Sequence, residues 1–198
     1  MDRHAWDERY GGDELLWRAD PNRFLVSEVA DLPPGRALDV ACGEGRNAVW
    51  LAGQGWTVTG VDFSQVALDK ARRLAESHGV IVEWVNADVD DLDPPADRYD
   101  LVVVLYLHLP AERRRAVYAR AALALAPGGT MLVVGHDLAN LDGGYGGPQD
   151  PAVLFTPEDV AADLAGLTIV RAERVRRSVT TDSGEVEAID ALVRAVRP

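Results

Sequence analysis

The stretch Ala37-Leu38-Asp39-Val40-Ala41-Cys42-Gly43-Glu44-Gly45-Arg46-Asn47-Ala48 constrains this chain more than any other. An apolar run breaks into Gly-x-Gly, and a helical pattern follows at Val49, Trp50, Leu51 and Ala52. Strand, glycine turn and helix in that order let a ligand approach bare backbone at a helix N-terminus. The next apolar run, Trp56 to Val61, ends in an acid, Asp62, placed to hold both hydroxyls of a ribose. Together these features predict an adenosine-bearing cofactor.

The 198 residues suffice for one sizeable core and are too few for two full domains. Apolar residues make up 47% and charged residues 26%, the balance of a soluble globular protein. The net charge of −12 repels phosphate backbones and anionic membranes, which argues against nucleic-acid and lipid partners. A lone cysteine, Cys42, excludes an internal disulfide and fits a reducing, cytoplasmic setting. The first residues carry no apolar signal region, and no apolar run is long enough to span a bilayer. His4, His78, His108 and His136 show no ligand spacing, so no metal is expected.

No repeat or linker divides the chain, which reads as a single domain over 1–198. Residues 1–35 form a helical preface expected to cap the cofactor site, and 36–198 form the core. In the preface, Asp20 reads as an N-cap with Pro21 at the first helical position. Phe24, Leu25, Val26 and Val29 supply its apolar face, and Leu32-Pro33-Pro34-Gly35 ends the helix.

Strands are expected near 37–41, 56–61, 81–86, 99–105 and 130–136, and helices near 46–53, 64–77, 110–125 and 157–165. Ser64 reads as an N-cap, Gly79 as a helix end, and Pro110 as a first-turn residue. Thr156-Pro157-Glu158-Asp159 reads as a cap, an N1 proline and two acids at the positive helix end. Leu101 to Leu105 is apolar throughout, as suits a central strand covered on both faces. Two further strands, 168–177 and 185–196, are joined by a turn at Thr181-Asp182-Ser183-Gly184 and must run antiparallel. The expected fold is therefore α/β: a Rossmann-like, doubly wound, seven-stranded sheet, mostly parallel, with a C-terminal antiparallel hairpin and helices on both faces.

Gly43-x-Gly45-x-x-Ala48 with Asp62 at about the ~20-residue spacing formally permits NAD. Three features oppose it. A helical preface precedes the first strand, no chain remains for a separate substrate domain, and Asp39 lies just ahead of the glycine turn. A pyrophosphate gains nothing from that carboxylate, whereas a cofactor with an ammonium group gains a counter-charge.

The chain resembles the class I S-adenosylmethionine-dependent methyltransferases from about Trp6 to Val196. The resemblance is carried by Asp39 to Gly45, Gly60-Val61-Asp62-Phe63-Ser64, Asn86-Ala87-Asp88-Val89, Tyr99 to Val104, and Leu125 to Thr130, in order and at suitable spacing. Ala41 stands where many members carry glycine. Trp6-Asp7-Glu8-Arg9-Tyr10 with Gly43 to Asn47 resembles the tellurite-resistance and thiopurine S-methyltransferase-like branch.

The resemblance implies S-adenosylmethionine as donor and S-adenosylhomocysteine as product. It implies that Asp39 and the backbone at Gly43 meet the methionine ammonium end, that Gly45 binds the cofactor in the same turn, and that Arg46 meets its carboxylate. Asp62 would take the ribose hydroxyls, Phe63 the adenine face, Asp88 and Val89 the adenine edge, and Leu105 a carbonyl beside the methionine part. Trp6 and Tyr10 would form an aromatic lid. Tyr106, His108, His136 and Asp137, which follow the fourth and fifth strands, are the acceptor-side candidates, with His108 or His136 as base. The fourth-strand exit lacks the Asn/Asp-Pro-Pro-Tyr/Phe pattern of many amide and nucleobase N-methyltransferases. The expected acceptor is a small molecule, such as a thiol, selenide or tellurite. A non-catalytic binding module and an NAD-dependent oxidoreductase remain alternatives. Leu138 to Pro151, rich in glycine, is a candidate mobile cover or a plain surface loop. Oligomeric state is not readable.

Overall fold

The computed structural model describes every residue except Met1, Arg18, Asp182 and Ser183. Two of the expected hairpin-turn residues, Asp182 and Ser183, thus lie outside the described residues, while Thr181 and Gly184 pair across the hairpin. The strands are β1 Arg36–Val40, β2 Thr57–Asp62, β3 Val82–Asn86, β4 Tyr99–Leu105, β5 Leu125–His136, β6 Thr168–Thr181 and β7 Gly184–Val196. They form one sheet in the order β3-β2-β1-β4-β5-β7-β6, parallel except that β7 runs antiparallel to both β5 and β6. The sequence pattern anticipated this architecture, a Rossmann-like sheet finished by an antiparallel hairpin.

The helices are α1 Arg3–Tyr10, α2 Arg23–Glu28, α3 Arg46–Gly53, α4 Gln65–Ser77, α5 Ala111–Ala124, α6 Asn140–Gly143 and α7 Pro157–Asp163. Alternation along each strand sends successive side chains to opposite faces. Leu38, Val40, Val102 and Val104 face a core completed by Val117, Tyr118 and Ala121 of α5 and Val160 of α7. Ala37, Leu101, Val103 and Leu105 face the other, completed by Leu25 of α2 and Ala48 and Leu51 of α3. The central strand is thus buried on both sides, as its unbroken apolar run requires.

Several boundaries differ from expectation. Asn22, not Asp20, caps α2: its side chain accepts from the N–H groups of Phe24 (2.8 Å) and Leu25 (3.3 Å). Asn22 is fixed in turn because its own N–H donates to Asn47 Oδ1 (2.8 Å). The helix is short and buries Leu25 and Glu28, with Val29 buried just beyond it, leaving Val26 exposed. β5 begins at Leu125 rather than near 130: Leu125 pairs with Tyr99 and Thr130 with Leu101, and the residues between bulge out, with Gly128 (φ 80°) and Gly129 exchanging backbone hydrogen bonds with Arg197. Ser64 caps α4 through the Ala67 N–H, and Thr156 and Asp159 form a reciprocal capping box on α7, as read from the sequence. Gly79 follows the end of α4 with φ +66°, a helix-closing conformation.

Trp84 on β3 fixes how α3 and α4 seat on the sheet edge. A Cβ at Gly60 would lie 2.6 Å from its ring, and one at Gly45 would lie 2.5 Å away. Both glycines therefore form the slot that holds the indole. Gly60→Ala is expected to destabilise the protein by about 1–3 kcal/mol through overpacking. In Gly60→Ala/Trp84→Leu the Gly60→Ala penalty should largely vanish. Urea unfolding of the two single variants and the double variant measures this, and strictly additive losses would contradict it.

Candidate functional site

The carboxyl ends of β1, β2, β3, β4 and β5 share one edge of the sheet, where open α/β sheets bind ligands. After Val40 the backbone enters the left-handed region at Ala41 (φ 58°), Gly43 (φ 55°) and Gly45 (φ 80°). Ala41 tolerates this at a cost that a glycine would avoid. The turn delivers Gly45 as the N-cap of α3, with no side chain capping it. Free N–H groups at that helix end offer a site for negative charge.

Asp62 closes the turn from the neighbouring strand. Its Oδ2 accepts from Gly43 N–H (2.8 Å) and its Oδ1 from Ser64 N–H (2.9 Å). Burial raises its pKa, and the backbone bonds from Ser64 and Gly43 pull it back only in part. Asn86 donates to the carbonyls of Asp62 and Phe63, fixing the β2 exit. Asp39 is buried, and its Oδ2 has no hydrogen-bond partner among the described residues. Burial, with the charge of Asp62, pushes Asp39 up to about 7, against the pull of Arg46 and the Ala48 backbone. Arg46 is half-buried and makes no hydrogen bond or ion pair among the described residues; burial lowers its pKa, while Tyr106 and Asp39 raise it. Burial pushes the Cys42 thiol well up, so it stays a neutral packing group.

The N-terminal segment lies over this turn. Tyr10 is buried, and a Cβ at Gly43 would meet its hydroxyl at 3.0 Å. Trp6 stacks on Tyr10 with ring centroids 5.4 Å apart, and α1 packs on α4. Asp7 accepts from the Ser64 hydroxyl. No local sequence signal marks the anchor beyond α1. Glu44 accepts from the N–H groups of Leu16 (3.0 Å) and Trp17 (3.1 Å) and pairs with buried Lys70 (3.1 Å). Lys70 also donates to the Glu14 carbonyl.

The other cofactor-side candidates lie along the same edge. Phe63 is partly buried beneath the Arg3 guanidinium. Asp88 Oδ1 accepts from Asp90 N–H (3.0 Å), and the Val89 carbonyl accepts from Arg120. Leu105 ends β4 beside Val134.

Beyond Leu105, Tyr106 takes the left-handed conformation (φ 58°), uncommon for a bulky residue. Its hydroxyl donates to Asp190 Oδ2 (2.8 Å), which also accepts from Arg177 Nε (2.7 Å). His136 Nδ1 lies 3.2 Å from the other oxygen, Asp190 Oδ1. Asp190 and Arg177 escaped the sequence reading. The one local signal was an acid inside the apolar run Ala188 to Val193; only the β5–β7 register, which sets His136 opposite Asp190, gives it meaning.

Two acceptor-side candidates already have partners within the protein. His108 Nε2 accepts the backbone N–H of His136 (3.0 Å), which occupies that nitrogen. Burial and then His136 lower its pKa to about 4, so it is a neutral packing and hydrogen-bonding group. Asp137 is fully buried; its Oδ1 accepts from Ala139 N–H (2.8 Å) and forms an ion pair with Arg174 Nε (2.9 Å), while its Oδ2 has no hydrogen-bond partner among the described residues. The following loop, 138–151, is tied down by buried Asn140, which donates to the Gly146 carbonyl and accepts from Ile189 N–H.

A family described as a methyltransferase domain matches residues 37–129, the stretch that builds β1 through the start of β5. Thiocyanate methyltransferase 1 of Brassica oleracea is 29% identical over 194 residues, covering 93% of this chain and 83% of that protein. A ubiquinone biosynthesis O-methyltransferase of Coxiella burnetii is 33% identical over 129 residues, covering 64% of this chain and 54% of that protein. The chain spans about half the length of the first curated relatives it matches. A solved structure described for the conversion of a disulfide bond into a thioacetal group during echinomycin biosynthesis superposes with a TM-score of 0.77 at 25% identity, covering 98% of this chain and 92% of that one. With the glycine turn, the two buried acids and the sheet order in place, residues 37–129 carry a methyltransferase domain set in a class I methyltransferase sheet.

Proposed function

We propose that the protein transfers a methyl group from S-adenosylmethionine to a small-molecule acceptor at the carboxyl ends of β4 and β5. The observation that carries this reading is the Asp39 Oδ2, buried at the foot of the glycine turn with no hydrogen-bond partner among the described residues. A buried acid without a partner is costly unless a cation meets it. The ammonium group of the donor's amino acid part is such a cation. A pyrophosphate would bring negative charge to the same place, which disfavours a nicotinamide cofactor.

The residues present fit this donor. Asp62 has lone pairs left beyond its two backbone bonds, matching two ribose hydroxyls. Phe63 offers an apolar face to adenine, with Asp88 and the Val89 amide at its edge. The Gly43–Gly45 backbone admits close approach, Arg46 is available to the donor carboxylate, and Leu105 offers a carbonyl beside the methionine part. Trp6 and Tyr10, with the segment latched by Glu44 and Lys70, act as a cover, so we read residues 1–35 as a cap on the core.

The bound donor supplies an electrophilic methyl group whose sulfur leaves as a neutral thioether. The chain's main contribution is to hold the acceptor in line with that methyl; such orientation accounts for ~7–11 kcal/mol of barrier. Placement in the tellurite-resistance and thiopurine-type branch is supported by the N-terminal motif and by the likeness to thiocyanate methyltransferase 1 over nearly the whole chain.

Two measurements test the site. Asp62→Ala removes two hydrogen bonds to a charged acceptor, each worth ~1.5–3 kcal/mol. Calorimetric affinity for S-adenosylhomocysteine should fall on the order of a hundredfold or more, and unchanged affinity would contradict the assignment.

Asp39 gives a pH signature. Its pKa of about 7 lies above its ordinary value of 3.8, so the free folded protein keeps a proton that the unfolded chain loses. The stability from that proton is full below about 3.8 and is lost as pH rises through about 7. Binding an ammonium group requires the carboxylate, so affinity for S-adenosylhomocysteine should weaken as pH falls below about 7. Asp39→Asn should bind more weakly and flatten that dependence. A wild-type affinity independent of pH in this range would contradict the assignment.

A further inference from the structure

Resting on the methyltransferase reading, we propose that His136, positioned by Asp190, takes a proton from the acceptor during transfer. The acceptor is then an alcohol, phenol or amine, and not a preformed anion such as selenide or tellurite.

The two nitrogens of His136 face different surroundings. Nδ1 is sealed from solvent and lies 3.2 Å from Asp190 Oδ1; neither atom has another partner among the described residues. The contact is off the line of a well-formed hydrogen bond, as catalytic contacts often are before substrate binds. Nε2 also has no partner among the described residues, yet it is not among the buried atoms. Asp190 is itself immobilised, because Tyr106 Oη and Arg177 Nε hold its second oxygen. Burial acts to raise the Asp190 pKa, but His136 and Arg177 outweigh it, and the group stays ionised. A fixed carboxylate beside Nδ1 selects the Nδ1–H tautomer and leaves Nε2 as the basic atom.

The surroundings suit a ring that gains and loses a proton. His108 stacks on His136 with centroids 5.3 Å apart and remains neutral, so it does not oppose a charge there. Tyr106 meets the same ring edge-on at 5.1 Å. The charged groups of the cluster are Asp190 on β7 and Arg177 on β6, which neutralise one another. Gly147 (φ +78°) lies against the ring, where a Cβ would come within 2.5–2.8 Å of three ring atoms. Any side chain there would displace or cover the imidazole. Arg46, at the start of α3, interacts electrostatically with Tyr106 and Arg177, so the cluster adjoins the glycine turn.

The step balances simply. As the acceptor oxygen or nitrogen bonds to the methyl carbon, its proton passes to His136 Nε2. The electron pair of the breaking carbon–sulfur bond goes to the neutral thioether. Asp190 stabilises the imidazolium, which later releases its proton to water. A soft anion has no proton to give, and this cluster would do nothing for it.

Nitrogen-15 NMR of the S-adenosylhomocysteine complex tests the positioning without knowing the acceptor. Neutral His136 should carry its proton on Nδ1, and Asp190→Asn should move its tautomer balance toward Nε2–H. The Nε2–H tautomer in the wild type overturns the proposal, even if Asp190→Asn fails to fold; an unchanged tautomer balance in a folded variant does so as well. A panel of phenols, alcohols and amines, set against thiocyanate, selenide and tellurite, tests the acceptor class with labelled donor. Turnover of a protonated acceptor should fall ~10²–10⁴-fold in His136→Gln and lose its pH dependence, while S-adenosylhomocysteine affinity holds. Turnover confined to the anions, or absent throughout, overturns the proposal. Failure of the wild type to bind S-adenosylhomocysteine at all would instead remove the methyltransferase reading beneath it.

Discussion

The hydrogen bond from the Gly43 N–H to the Asp62 carboxylate organises the functional edge of this protein. It joins the turn after the first strand to the end of the second. In doing so it holds Gly43 in a left-handed conformation and gives Asp62 a fixed direction. Asp39, the free end of α3 and the Tyr10 cover all take their positions from that turn. Without it the sheet would still form, since its core lies behind the turn, but the crevice would lose its shape.

Charge is distributed unevenly along the same edge. Among the acids buried there, Asp39, Asp62 and Asp190 differ in how they are met. Asp62 accepts from backbone through both oxygens, Asp190 Oδ2 accepts from Arg177 and Tyr106 while its Oδ1 faces His136, and Asp39 Oδ2 has no hydrogen-bond partner among the described residues. That gradient separates jobs. A satisfied carboxylate is a fixed anchor or a positioning group, while an unsatisfied one with a raised pKa waits for a cation. Arg46 lies between the two halves, close enough to feel both Asp39 and Tyr106.

The legible part of this protein was local. A glycine turn, a strand-ending acid and the alternation of apolar runs with helical patterns depend on neighbours in sequence, so the order of elements and the Asp39, Gly43, Asp62 constellation could be read directly. Pairings made across the sheet were not legible. Asp190 and Arg177 reach Tyr106 only because of the hairpin register, and the Glu44–Lys70 pair meets the 14–17 segment only because the preface folds back. Nor does polarity alone show that His108 Nε2 accepts a backbone N–H or that Asp137 Oδ1 pairs with Arg174. The same limit applied to Asp20, because the residue that caps α2 is chosen by its bond to Asn47 in another helix.

A crystal structure of the protein with S-adenosylhomocysteine tests the central claim most directly. The account predicts the ribose hydroxyls on Asp62, the ammonium group at Asp39, and the sulfur turned toward the open nitrogen of His136. A nucleoside bound elsewhere on the protein, or bound here with its ammonium group away from Asp39, would contradict it.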